Sequence, residues 1–406
     1  MLIVRKYGGS SLATLELINN TALKLIKAKE SCSKLLVVVS AMSGVTDALV
    51  GQASFYSQSP NKRELDMLLS TGERASAALL AIALSSKGVD AISLSAKQAG
   101  LITNTDFGKA RIKKIETNYI NKLLNQGKIV IIAGFQGQSE APEDEKGHVT
   151  TLGRGGSDLS AVAFAGALKA DLCEIYTDVE GIFTTDPRIE PRARKLDFIS
   201  YEEILELASL GAKVLQYRSV ELAKKLDVKL VVRSSFSDKE GTMIVSEENM
   251  EQALVSGIAL DKNQARITLR DIEDSPGIAA KIFAVLAKNN INVDMIIQNA
   301  GKQGLANLGF TVPQSELGEA KAAMSELLGE DARIEADSQI VKVSVVGVGM
   351  KSHSGVANTA FSALASENIN IQMISTSEIK ISMIVHEKYG ELAVRSLHKA
   401  YNLEKK

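Results

Sequence analysis

At 406 residues the chain is too long for one ordinary hydrophobic core, so two or three domains are expected. Its 47 basic and 48 acidic residues nearly cancel, which excludes a global electrostatic pull toward nucleic acid or an anionic membrane. Cys32 and Cys173 are too few for a disulfide framework and read as unpaired thiols; the N-terminus MLIVRKYGGSS has no signal-peptide core, so a reducing cytoplasm is expected.

Residues 2–4 read as a strand, followed by a helix-period stripe at Leu15, Ile18, Ala22, Leu25 and Ile26 with Ser10 or Ser11 as N-cap. Further strands are expected at 35–39, 91–94, 129–133, 172–176 and 228–232. Helices are expected near 73–84, 110–124, 158–168, 202–210 and 220–226. Continuous β-branched runs separated by helices imply an α/β domain with a mostly parallel sheet covered on both faces.

After about residue 245 the character changes. The charged stretch SEENMEQ reads as a linker, and an internal repeat follows. Residues 277–297 match 355–375 at a shift of 78, with ten of 21 positions identical. Each copy reads as strand (266–269; 342–346), turn, helix, strand (291–296; 369–374) and a last strand (308–312; 381–385). Two α+β units from one duplicated plan suit paired ligand-binding or dimerisation modules better than a solenoid.

In an open parallel sheet, ligands bind beyond the carboxyl ends of the strands. The first strand ends in KYGGSS, where Lys6 and two glycines before a helix make either a phosphate cradle or a plain glycine turn. The second ends in SAMSGVTD, whose hydroxyls bind a polar substrate or simply cap the next helix. In STGER, Glu73 could hold an ammonium group or merely favour a first helical turn. TTLGRGGSD is the most specific segment: three glycines and an arginine at a helix start form a cradle for a carboxylate or phosphate. TDVEGIFTTDPR follows the strand ending at Tyr176 and supplies Asp178, Phe183 and Arg188. There is no Walker A sequence, GxGxxG fingerprint or protein-kinase signature, and His148, His353, His386 and His398 are scattered without metal spacing.

Together, KYGGSS, VVSAMSGVTD, STGER, TTLGRGGSD, TDVEGIFTTDPR and GAKVLQYRSVE resemble, in that order, the aspartate kinase branch of the amino-acid kinase family. The two repeats look like ACT domains. The resemblance implies an amino-acid kinase-type α/β/α sandwich at 1–245 and two ferredoxin-like ACT domains at 246–335 and 336–406. Residues 254–259 are a candidate strand of the second ACT unit. The implied reaction moves the γ-phosphoryl of ATP to the β-carboxylate of L-aspartate, giving 4-phospho-L-aspartate on the way to lysine, threonine and methionine. A carboxylate with a pKa of about 3.9 is already ionised at neutral pH, so no general base is needed.

Residue by residue, the resemblance assigns Lys6 and Lys213 to the transferring phosphoryl group and Asp178 to organising them, with Asp158 a further candidate. Gly8, Gly9 and Ser10 would cradle phosphate. Arg154 would hold aspartate's carboxylate and Glu73 its ammonium, with Ser40, Thr46 and Ser157 completing that pocket. Thr177, Asp178, Phe183, Asp186, Arg188, Lys213 and Val214 would line the nucleotide site, with magnesium arriving on ATP rather than in a protein cage. Amino-acid effectors, lysine and/or threonine, would bind the ACT pair through Asp274, Pro276, Gly277, Ile278, Ala279, Asn292 and Gln298, and through Ser354, Gly355, Val356 and Asn370. A homodimer or larger homo-oligomer through the ACT units is expected. The chain departs from many relatives at Gln216 and Tyr217, where a histidine and often a proline stand, and Ser10 replaces the usual threonine.

Overall fold

The computed structural model describes residues 1–140, 147–209, 215–246, 254–300, 304–329, 332–353 and 355–405. They form two compact units. Met1–Ile182, Lys195–Ala208 and residues 215–246 make the first; Phe183–Arg194 and the chain from residue 254 belong to the second.

In chain order the first unit contains β1 (Leu2–Tyr7), α1 (Leu15–Ser31), β2 (Lys34–Val39), α2 (Val45–Tyr56), α3 (Lys62–Ser85), β3 (Ala91–Leu94), β4 (Leu101–Thr103) and β5 (Ile112–Ile115). It continues with α4 (Asn118–Asn125), β6 (Ile129–Ala133), β7 (Gln136–Ser139), β8 (Val149–Thr151), α5 (Gly156–Ala167) and β9 (Leu172–Thr177). After the excursion of Phe183–Arg194 come β10 (Phe198–Ser200), α6 (Tyr201–Ser209), α7 (Tyr217–Lys225), β11 (Leu230–Ser234) and β12 (Thr242–Val245).

Eight strands pair in the order β10-β12-β11-β9-β1-β2-β6-β3, all parallel except β11 with β12. Side chains alternate across each strand. From β1, Ile3 and Tyr7 join a core with Ile18, Ala22 and Leu25 of α1 and Leu80 and Leu84 of α3. Lys6 leaves the other face, toward α5, a helix buried along most of its length. A four-stranded sheet, β5-β4-β7-β8, flanks this layer structure.

Four local expectations change. Helix α1 is capped by Thr14, whose Oγ1 accepts the Leu17 N–H at 3.2 Å, not by Ser10 or Ser11. Those serines sit in a short 3-10 turn, Ser10–Leu12, and the extended backbone of Thr14 separates it from the helix. The expected helix over 110–124 is instead β5 and then α4: Ile112 and Ile115 have a helical spacing, but pairing with β4, with one register shift, decides for a strand. The STGER segment lies in the middle of the 24-residue α3 rather than opening a helix. In the repeats, the strands expected from 291 and 369 begin later, because Asn290 and Asn368 take left-handed conformations after their helices and the chain turns Ile291 and Ile369 into the cores first.

Helix α3 is long and apolar enough to cross a membrane by length and composition alone. Here it packs Leu69, Ala77, Leu80 and Leu84 inward and also buries Asp66 and Glu73.

The second unit contains β13 (Gly257–Glu273), α8 (Ile278–Lys288), β14 (Ile296–Ala300), β15 (Leu305–Val312), α9 (Leu317–Leu328) and β16 (Arg333–Val346). Then follow α10 (Val356–Ser366), β17 (Met373–Thr376), β18 (Lys380–His386) and α11 (Gly390–Ala400). Its six strands pair antiparallel in the order β14-β15-β13-β16-β18-β17. Strand β13 serves two cores: Ile258 joins Val343, Ala360 and Leu397, while Ile267 and Leu269 join Ile282, Phe310 and Met324. Register shifts between Asp261 and Arg266 mark the passage from one to the other. Gly277 and Gly355 precede α8 and α10 with φ of 95° and 96°, so the two repeats share the same backbone conformation at this turn.

Phe183–Arg194 docks on the second core. Thr184 accepts the Ile258 N–H at 2.8 Å, and Ile189 packs against the cluster that contains Leu397.

Candidate active site

The carboxyl ends of β1, β2, β6 and β9 gather most of the residues expected to carry chemistry. Lys6 Nζ lies 2.7 Å from Asp158 Oδ1 in the first turn of α5, and both side chains are nearly buried. Asp178, just after β9, is exposed and accepts the Thr177 hydroxyl at 3.0 Å. Among the described residues it is therefore Asp158, not Asp178, that meets the Lys6 ammonium. Lys213 and Val214 lie outside the described residues.

The turn after β1 is fixed by backbone bonds. Gly8 N–H donates to the Tyr176 carbonyl at 3.2 Å, and Ser11 N–H donates back to the Gly8 carbonyl at 3.1 Å. A Cβ on Gly9 would stand 2.9 Å from the Ala41 carbonyl oxygen, so only glycine lets this turn lie against the loop after β2. Tyr7 and Tyr176 stack beneath it with ring centroids 4.7 Å apart.

Ala41 also reaches the acidic side of the site. Its N–H donates to Glu73 Oε1 at 3.1 Å, while Glu73 Oε2 is buried without a hydrogen-bond partner among the described residues. Burial pushes this carboxyl up to about 7, although the Ala41 bond acts the other way. Because Glu73 sits in mid-helix, the helix-dipole explanation for an acidic residue does not apply. A buried carboxylate with one satisfied oxygen is a receptor for a cation or a donor. Ser40 and Thr46 lie part-buried on either side of Ala41 in the sequence.

The TTLGRGGSD loop is held from three sides. Asp66, fully buried on α3, accepts Gly108 N–H at 2.9 Å, Thr151 N–H at 2.8 Å and the Thr151 hydroxyl at 2.7 Å. Arg218 donates to the carbonyls of Leu152 and Ala110 at 2.8 and 3.0 Å. Gln216 Nε2 donates to the Arg154 carbonyl at 2.7 Å, a role for one of the two positions where the chain departs from many relatives. The Arg154 side chain itself is exposed and forms no ion pair among the described residues. Ser157 is buried, its Cβ and Oγ 2.9 Å from the Cβ that an alanine at Gly134 would carry. Asp66 and Arg218 were not singled out from sequence; an acid or base on an otherwise ordinary helix gives no signal that its partners are distant strand and loop groups.

Phe183, Asp186 and Arg188 belong to the second unit. Arg188 forms a two-point pair with Asp186, Nε to Oδ1 at 3.0 Å and Nη2 to Oδ2 at 2.7 Å, and this contact holds the Asp186 carboxyl below its usual range.

In the repeats, Gly277 with Ile278 and Ala279, and Gly355 with Val356, open α8 and α10. Asp274, Pro276, Asn292, Gln298 and Asn370 are exposed. Asp274 N–H donates to the Gly304 carbonyl at 2.8 Å, and Asn292 N–H to Glu316 Oε2 at 2.9 Å. Ser354 lies outside the described residues.

Comparison with known proteins agrees with this layout. Residues 1–234 match the model of the amino acid kinase family, and 270–328 and 343–401 each match an ACT domain. The aspartokinase of Helicobacter pylori is 56% identical over 409 residues, covering 100% of both chains. An aspartate kinase of Stutzerimonas stutzeri is 49% identical, covering 99% of this chain and 98% of its own. Among solved structures, E. coli aspartokinase III in complex with aspartate and ADP aligns with a TM-score of 0.81 at 28% identity, covering 98% of this chain and 99% of that one. The chain belongs to the amino acid kinase family, as a member of its aspartokinase branch with a tandem pair of ACT domains.

Proposed function

We propose that this aspartate kinase transfers the γ-phosphoryl group of ATP to the β-carboxylate of L-aspartate through the site around Lys6 and Glu73. The observation that carries it is the contact chain Gly9–Ala41–Glu73, which couples the glycine turn beside Lys6 to a buried, half-satisfied carboxylate. One end suits a phosphate and the other suits the ammonium of an amino acid. The E. coli enzyme solved with aspartate and ADP supports the same pair of ligands here.

The attacking carboxylate is ionised at neutral pH, so the protein's work is alignment and charge neutralisation. Lys6, oriented by Asp158, stabilises charge on the transferring phosphoryl oxygens. The Gly9 backbone N–H and the Ser10 hydroxyl hold the phosphates, and Gly8, whose own N–H is bonded to the Tyr176 carbonyl, lets the turn approach them. Glu73 takes the substrate ammonium and Arg154 its α-carboxylate, with Ser40, Thr46 and Ser157 completing the pocket. Thr177 and Asp178, with Lys213 and Val214, complete the nucleotide side. Magnesium comes with ATP, keeping most of its water and neutralising phosphate charge.

Regulation falls to the ACT units. E. coli aspartokinase III has also been solved with lysine and aspartate, in a form called the T-state. Lysine and/or threonine would inhibit here by binding a less active arrangement more tightly than the active one. The ACT units also join the chain into a homodimer or larger homo-oligomer, and the enzyme works in the cytoplasm at the entry to lysine, threonine and methionine synthesis.

The test is ADP release with ATP, magnesium and L-aspartate, repeated with lysine, threonine and both. Aspartate-dependent turnover suppressed by an effector supports catalysis and regulation together. Folded protein that turns over glutamate or N-acetylglutamate but not aspartate would overturn the substrate assignment.

A further inference from the structure

Arg5 and Lys6 are neighbours on β1, so their side chains leave opposite faces of the sheet. Lys6 meets Asp158 of α5. Arg5 instead borders a cavity of about 530 Å3 between α1, the strand ends around Tyr176 and Arg233, and the loop after β11.

The cavity wall is cationic. Arg5, Lys24, Lys27, Arg233 and Lys239 line it, against Glu30 and Asp238. Below lies Glu174, almost fully buried, which meets Arg5 Nε at 2.6 Å and Arg233 Nε at 2.8 Å. One carboxylate cannot neutralise two guanidinium groups. Lys239 is held by Glu180, but among the described residues Lys24 donates to a neutral partner alone, the Ser235 carbonyl at 2.6 Å, and exposed Lys27 forms no ion pair. A positive excess therefore remains after every acid is counted.

Two further features suit an anionic ligand. Ser237 Oγ on the wall is shielded from solvent and has no hydrogen-bond partner among the described residues. The Arg5 guanidinium lies 5.4 Å from the centre of the Tyr176 ring, which limits its rotation and presents it as a fixed plane. Guanidinium groups fixed in this way match phosphate oxygens better than a mobile lysine does. The volume falls in the range of small-molecule sites.

We propose that this cavity binds a phosphate-bearing small molecule, at a site on the opposite face of the sheet from Lys6. Nothing in the phosphoryl-transfer chemistry uses these side chains, so the two sites are separable by mutation.

Titration calorimetry of the full chain with inorganic pyrophosphate tests it, comparing the wild type with Lys27→Glu and Arg5→Gln. Lys27 is exposed, and Arg5→Gln leaves Glu174 paired with Arg233, so unchanged melting midpoints are expected for both. Pyrophosphate should bind the wild type, and affinity should fall at least tenfold in each variant. No binding to the wild type at millimolar pyrophosphate would overturn the proposal. So would wild-type affinity in Lys27→Glu, which would place all the binding at the Lys6 site.

Discussion

Lys6 Nζ stands 2.7 Å from Asp158 Oδ1, which ties the carboxyl end of β1 to the first turn of α5. The ammonium is thereby held against the glycine turn, 3.3 Å from where a Cβ on Gly8 would lie. A buried pair of this kind adds little net stability, because desolvation offsets most of the attraction. Its value lies in placing a full charge where a phosphoryl group must be neutralised.

Replacing Lys6 by methionine should therefore lower aspartate-dependent ADP release by about 10³-fold, the scale of losing one preorganised charge. It also strands the Asp158 carboxylate, so a lower melting midpoint is expected. Lys6→Met with Asp158→Asn relieves that second effect: the midpoint should recover while activity does not. Recovery of activity in the double variant would show that Lys6 serves only to neutralise Asp158.

Glu73 makes a pH-dependent prediction. Its carboxyl is pushed up to about 7 by burial, so it gains a proton as pH falls through neutrality. A neutral acid cannot hold an ammonium by charge, and KM for aspartate should rise by about tenfold per pH unit below 7 while KM for ATP changes little. The stability sign is the reverse of the usual carboxylate. The folded state holds the proton more tightly than the unfolded chain, so stability from this group is highest below its unfolded pKa and falls as pH rises toward 7. Glu73→Gln should thus keep or raise the melting midpoint at pH 8, lose at least tenfold in KM for aspartate, and flatten the KM profile. A flat wild-type profile between pH 6 and 8 would remove Glu73 from the ammonium site.

Much of this was legible in the sequence. The parallel strands announced themselves as continuous apolar runs such as IVIIA at Ile129–Ala133, and the glycine-rich segments fell at strand ends. The duplication at 277 and 355 predicted two alike units, and Gly277 and Gly355 have nearly the same φ. Three things were not legible. Asp66 acts on the end of β8, 85 residues away, and such pairing leaves no local pattern. Ile112 and Ile115 stand three apart, a helical spacing rather than strand alternation, so only the pairing with β4, which carries a register shift there, could decide. The grouping of Phe183–Arg194 with the second unit depends on long-range contacts, although its sequence continues the TDVEGIF motif of the first.

Gly277 isolates a conformational cost. Its φ of 95° is a region L-residues avoid, yet nothing lies within 4 Å of where a Cβ would be. Gly277→Ala should therefore destabilise the second unit by about 1–2 kcal/mol through backbone strain alone. Gly277→Asn should cost less, because asparagine tolerates the left-handed region. Equal losses for the two variants, measured by urea denaturation, would point to a packing cause instead.

His398 gives the last prediction. It is fully buried on α11, with Nε2 3.0 Å from Thr184 Oγ1 and Nδ1 without a hydrogen-bond partner among the described residues. Burial holds its pKa below the ordinary value; Glu190 and Glu404 pull the other way, and Arg192 acts with burial. The imidazole is thus neutral in the fold, while the unfolded chain takes up a proton near pH 6.5. The unfolded state binds more protons in that window, so this contribution is complete above about 6.5 and is lost as pH falls toward the lower folded pKa. Glu190 does not confuse the measurement: Arg192 holds its carboxyl at about 2, so it stays ionised in the native state throughout. Between pH 7.5 and 5.5 the melting midpoint of the wild type should fall more steeply than that of His398→Asn, which cannot titrate. Because Thr184 is part of the docked Phe183–Arg194 segment, protection of its amides from hydrogen exchange should fall in parallel in the wild type only. Matching slopes in the two proteins would place the acid sensitivity elsewhere in the chain.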